Sequence, residues 1–147
     1  MSDKLSKFFT LAELTTSQYA TRKGISNIPT GQAMTNLVYT ASKMDEVRNL
    51  LRFPVYVSSG YRCEEVNKAV GGSKTSSHVL GEAVDFVCPG FGTPQEVFDA
   101  LRKSPLRYDQ IINEGSWVHL GFGKQLRHEQ KIAHFAKGKK TTYEVVK

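Results

Sequence analysis

The chain has 147 residues, 39% of them hydrophobic and 23% charged, with a formal net charge of +6. This length is enough to close one hydrophobic core without disulfides or a structural metal, and the composition is that of an ordinary globular protein. No run approaches the ~20 apolar residues of a membrane span, and two cysteines, Cys63 and Cys88, are too few for a disulfide framework. The charge is uneven: from Lys124 to Lys147, seven Lys/Arg against two Glu carry +5 of the total. Such a basic end suits attraction to a polyanion or serves as a solvated edge. No aromatic–basic interleaving marks it for specific nucleic-acid binding. The start, Met1 to Lys7, leads only into Phe8-Phe9 and lacks a secretory signal. The expected product is therefore made in the cytosol as one domain over 1–147, a monomer with a basic tail from about 124 and two free thiols.

In chain order, Thr10-Leu11-Ala12-Glu13 has the form of a capping box and predicts a short helix. Lys23 to Gly31 reads as a loop. Met34 to Leu51 is the clearest helix, with Met34, Leu37, Val38, Ala41, Met44, Val47, Leu50 and Leu51 on one apolar face. Val55–Ser58 predicts a strand, Ser59-Gly60 a turn, and Cys63–Val70 a helix ended by Gly71-Gly72. Gly71–Ser77 is a polar loop of small residues, and Glu82–Val87 a strand. Thr93-Pro94-Gln95-Glu96 opens a helix reaching Lys103. Tyr108–Asn113 and Trp117–Phe122 form a hairpin, and Lys131–Phe135 and Thr142–Val146 add strands. Helices and strands do not alternate regularly, so the expected class is α+β with a mainly antiparallel sheet.

Two of these strands carry chemistry. In Glu82–Val87, Val84 and Phe86 face the core while Ala83 and Asp85 share the other face. An aspartate in an apolar strand is costly unless a cation or hydrogen bonds meet its charge. In Trp117–Phe122, Val118, Leu120 and Phe122 face the core, which leaves Trp117, His119 and Gly121 opposite. Ala83 and Gly121 leave room beside each polar side chain. A loop through Gly81 can fold His78 back towards Asp85. Two His and one Asp make an open zinc set, three protein ligands with a position to spare; zinc there would acidify water and polarise a carbonyl.

If Gly115-Ser116 is a two-residue turn, Glu114 faces Trp117 and lies diagonal to His119, about 7–8 Å away along the same sheet face. Glu114 is thus the candidate general base. Arg62, after Ser59-Gly60-Tyr61, is placed to grip a substrate carboxylate or stabilise an oxyanion. Asn67, one helical turn on, is a further candidate contact or a local cap. Tyr61 and Trp117 read equally as pocket wall or core. His128 and His134 read as non-functional.

At these residues the chain resembles the zinc D-alanyl-D-alanine carboxypeptidase family, which includes phage endolysins. The resemblance rests on Phe9 to Thr15, Ser58-Ser59-Gly60-Tyr61-Arg62, the Asn67–Gly72 stretch, Ser-x-His-x-x-Gly-x-Ala-x-Asp at 76–85, and Trp117-Val118-His119. It implies zinc on His78, Asp85 and His119, substrate contact by Arg62, and a fold shared with the Hedgehog signalling domain; Asn67, Ser76 and Trp117 are added as candidate substrate contacts. Many members place the catalytic acid three residues before the last histidine, where this chain has Ser116; others place it five before, matching Glu114. The implied activity is hydrolysis of a peptide bond in peptidoglycan stem peptides, either terminal D-alanine trimming or an endolysin-type cut. The expected setting is a phage or prophage lysis enzyme reaching the wall after release, its tail attracted to the envelope. A metal-holding but inactive structural or envelope-binding module is the alternative from another class.

Overall fold

Thr10 caps a short helix as its sequence requires. Its hydroxyl accepts the Glu13 N–H at 3.1 Å, and the Glu13 carboxylate accepts the Thr10 N–H in return. The structure, a computed structural model, describes residues 3–73 and 75–146. Met1, Ser2, Lys74 and Lys147, which fall in the expected leaderless start, polar loop and basic tail, lie outside the described residues.

Helix α1 is Leu11–Thr15 and α2 is Gln18–Lys23. The sequence reading places no helix at α2, because six residues show little periodicity. Both of its caps are nevertheless present: Ser17 accepts the Ala20 N–H, and Gly24 closes the end in the left-handed region. Helix α3, Gly31–Leu51, starts earlier than Met34 and buries Leu37, Thr40, Ala41, Met44, Val47 and Leu51. Val38 and Leu50, expected in the core, are 42% and 39% exposed. Each lies about 100° around the helix from its buried neighbour, Leu37 or Leu51, outside the stripe that packs.

The remaining elements are β1 (Tyr56–Ser59), α4 (Glu64–Ala69), β2 (Ala83–Val87), α5 (Pro94–Arg102), β3 (Gln110–Asn113), β4 (Val118–Gly121), β5 (Glu129–His134) and β6 (Thr142–Val145). Helix α5 has the expected capping box of Thr93 and Glu96 with proline in the first turn. One sheet runs in the order β1-β2-β4-β3-β5-β6. Every neighbouring pair is antiparallel except β3 with β5, which is parallel. The class is therefore α+β with a mixed, mainly antiparallel sheet. The basic end is an integral part of that sheet: Ile132 packs against the core, and the Val146 N–H donates to the Gln130 carbonyl at 2.8 Å.

One sheet face, with Val84, Phe86, Ile111, Val118 and Leu120, closes the core with residues of α3 and α5 such as Leu37, Met44, Phe98 and Leu101. The opposite face therefore carries the alternate residues, Asp85 and His119 among them. Cys63 and the buried Cys88 are both free thiols. Among the described residues no helix is long and apolar enough to cross a membrane.

The stretch expected as a plain loop hides a structural clasp. Asn27 is 6% exposed; its amide nitrogen donates to the carbonyls of Thr15 and Tyr61, and its oxygen accepts the Cys63 N–H. One side chain thus ties α1 to the turn that carries Arg62. Removing it strands buried backbone groups, each costing about 1–3 kcal/mol. Asn27→Ala is expected to lower unfolding stability by about 2–4 kcal/mol in urea titration, whereas Val38→Ala should stay within about 0.5 kcal/mol of wild type.

Candidate metal centre

The antiparallel register of β2 and β4 sets Asp85 directly opposite His119, so the two side chains emerge side by side on the face away from the core. His119 Nδ1 lies 2.8 Å from Asp85 Oδ1. His78, only 3% exposed in the tight turn before β2, brings Nε2 to 3.2 Å from the same oxygen. One donor atom from each residue lies within 4.8 Å of the others, and the two imidazole rings meet edge to face at 5.2 Å. The loop fold-back expected for His78 is thus present.

His78 is held from three sides. Its Nδ1 sits 2.7 Å from the Gly60 carbonyl, its N–H donates to Ser76 Oγ, and its carbonyl accepts the N–H groups of Arg62 and Gly81. Gly81 turns the chain at φ +74°, where a Cβ would lie 2.5 Å from the Ala33 carbonyl oxygen. Helix α3 completes the support: Thr40 donates to the Gly81 carbonyl at 2.8 Å and Asn36 to that of Leu80 at 2.9 Å.

The donor chemistry fits a cation. A carbonyl only accepts, so Nδ1 of His78 carries the proton, and in the neutral ring Nε2 presents a lone pair to the Asp85 carboxylate. Two lone pairs at that separation need a second proton or a metal ion between them. A ring nitrogen anchored on a backbone carbonyl is also the usual support of a metal-binding histidine. Burial pushes the Asp85 carboxyl up, but its close contacts with His119 and His78 outweigh it and hold the group well below the usual carboxylate range. The trio can therefore hold a metal ion.

The cluster opens into a groove of about 570 Å³, also lined by Arg62, Ser76, Glu114 and Trp117. Glu114 donates its N–H to the Trp117 carbonyl at 3.0 Å across Gly115-Ser116, which is the register expected from the sequence. Burial pushes its carboxyl up; the charge of His119 partly offsets this and that of Asp85 adds to it. Ser116, on the bend, is exposed. Burial lowers the Arg62 guanidinium while Asp85 counters the shift, and Arg62 Nη2 reaches Ser76 Oγ at 3.5 Å.

Other expected residues stand elsewhere. Asn67, expected to touch substrate, is 4% exposed and lies off the groove lining. Its amide donates to the Ser73 carbonyl, so it holds the loop that rims the groove. Tyr61 packs against the core, its N–H bonded to the Leu14 carbonyl. His128 stacks on Tyr108 and His134 pairs with Glu144. Gln110, Asp109, Arg127 and Tyr143 also line the groove and were missed, because their place depends on strand pairing and not on local pattern.

With this geometry established, comparison with known proteins places it in a class. A family model for peptidase M15 matches residues 7–121. The chain belongs to this family of metallopeptidases. No curated protein matches the chain significantly.

Gly60 offers a check on the support of His78. A Cβ there would collide with the backbone of Leu14, so Gly60→Ala must move the carbonyl that anchors the imidazole. The variant is expected to lose about 2 kcal/mol or more of stability, read as a fall in melting temperature, and its His78 ring signals should shift by NMR while those of His134 stay in place.

Proposed function

We propose that this chain is a zinc-dependent peptidase that hydrolyses a peptide bond in peptidoglycan stem peptides, as a D-alanine carboxypeptidase or an endolysin-type endopeptidase of phage or prophage origin. The observation that carries the reading is the meeting in one groove of a His78–Asp85–His119 donor set, a half-buried Glu114 and a half-buried Arg62. Membership of the peptidase M15 family supports it.

His78, Asp85 and His119 would hold the zinc. When bound, zinc supplies Lewis acidity that polarises a substrate carbonyl and acidifies water towards a pKa of ~7. Glu114 then takes the proton of the attacking water and delivers it to the leaving amine nitrogen. Its raised affinity for protons suits both halves of that task. Arg62 binds a substrate carboxylate or the oxygen on which negative charge develops, and partial burial strengthens that attraction. Trp117 and Ser76 line the same groove and contact the peptide. The basic strands at the C-terminal end add attraction to the anionic envelope.

Purified protein incubated with peptidoglycan is expected to release peptide or D-alanine fragments detectable by mass spectrometry. A chelator should abolish the release and added zinc restore it; no release at any zinc load would overturn the reading and favour an inactive metal-holding module. Glu114→Gln should lower kcat by about 10²–10⁴-fold while zinc content stays that of the wild type. An unchanged kcat would assign the base elsewhere.

A further inference from the structure

The family match ends at residue 121, yet the sheet continues through β5 and β6. The register carries one row of side chains straight across the sheet: Asp85 pairs with His119, His119 with Ile112, Ile112 with Lys131, and Lys131 with Val145. The row two residues along lies on the same face. It contains Trp117 opposite Glu114 and, on the other side, Ala133 opposite Tyr143. Continuing the parallel β3–β5 register one residue past Asn113 and Ile132 sets Glu114 beside Ala133. Glu114 is therefore flanked by an aromatic residue on each side, Trp117 one strand away and Tyr143 two strands away, a backbone span of about 9–10 Å for the latter. The residue between Glu114 and Tyr143 is an alanine, small and only 7% exposed, so no bulky side chain of β5 stands between the two.

We propose that Tyr143 is a substrate-binding residue: its ring forms the wall of the groove facing Trp117, and its hydroxyl donates a hydrogen bond to a backbone carbonyl of the bound peptide. Three observations support this. Tyr143 lines the same groove as Asp85, His119 and Glu114. It is 50% exposed on an edge strand, which leaves ring and hydroxyl available to a ligand. Burial, with the charges of Glu114 and Asp85, pushes the phenol up, so it keeps its donor proton. An aromatic ring with a polar tip binds a peptide at small entropic cost. The inference rests on the peptidase reading and adds a wall that the family-matched span does not contain.

The test uses the zinc-loaded full chain and a peptidoglycan-derived stem pentapeptide. Steady-state kinetics are measured for wild type, Tyr143→Phe and Tyr143→Val; valine keeps the strand preference of the edge. Calorimetry gives the peptide Kd for the same substitutions in a Glu114→Gln background. Tyr143→Val is expected to raise KM and Kd about ten-fold and Tyr143→Phe about threefold, the weight of one hydrogen bond. The value of kcat, zinc content and melting temperature should stay those of wild type. If the valine variant melts early, the phenylalanine variant alone decides. Wild-type-like KM and Kd, or a loss confined to kcat, overturns the role of Tyr143 and leaves the peptidase reading intact. A wild-type protein that neither binds nor cuts the peptide overturns both.

Discussion

A partly buried carboxylate flanked by two imidazoles is the constraint on which the site depends. Asp85 occupies a strand whose other face, Val84 and Phe86, is fully buried in the core, so the pleat cannot turn it away without breaking that packing. A slip of one residue between β2 and β4 would drive Asp85 into the apolar layer and Phe86 into the groove. The register that closes the core is therefore the same one that brings Asp85 and His119 together. Removing the carboxylate from water is costly, and the close contacts with His119 and His78 offset that cost.

The second histidine has no such strand to define it. His78 arrives from a turn, and its position is set by contacts far away in the chain: the Gly60 carbonyl after β1 and Thr40 and Asn36 on α3. Asn27 performs a similar task for the neighbouring turn, joining Thr15, Tyr61 and Cys63. Helices and loops on the N-terminal side thus act as a brace that holds the ligand turn and Arg62 against the sheet. Around the centre, partial burial raises Glu114 and lowers Arg62, because both charged forms lose water. Groups that are poorly solvated at rest interact more strongly with a substrate that displaces the remaining water.

Legibility from sequence followed the range of the interaction concerned. Asp85 and His119 could be read from two-residue alternation, which any strand with one buried face must show. Glu114 could be read from the tight turn at Gly115-Ser116, because a two-residue loop leaves one register open. The capping boxes at Thr10 and Thr93 are contained within four residues and stood as expected. The helix at Gln18–Lys23 was too short for its periodicity to register, although Ser17 and Gly24 marked both ends. Asn67 read as either a substrate contact or a local cap, because a side chain one turn from Arg62 shares its neighbourhood in sequence; in space it turns inward to the Ser73 carbonyl.

Sequence alone thus determined the faces of the β2 and β4 strands, the capping boxes at Thr10 and Thr93 and the donor types of the candidate metal centre, since each depends on residues a few positions apart. For His78 the residue pattern offered only a loop through Gly81, and the family resemblance carried most of the weight. Only the tertiary structure decided which distant groups hold its turn against Asp85, that Asn27 is a clasp, and that the basic end completes the sheet and brings Tyr143 to the groove. Those outcomes depend on pairings between strands and loops tens of residues apart, which local periodicity does not encode. The order of strands across a sheet is chosen by how the whole core closes, and Tyr143 acquires its neighbours from that order.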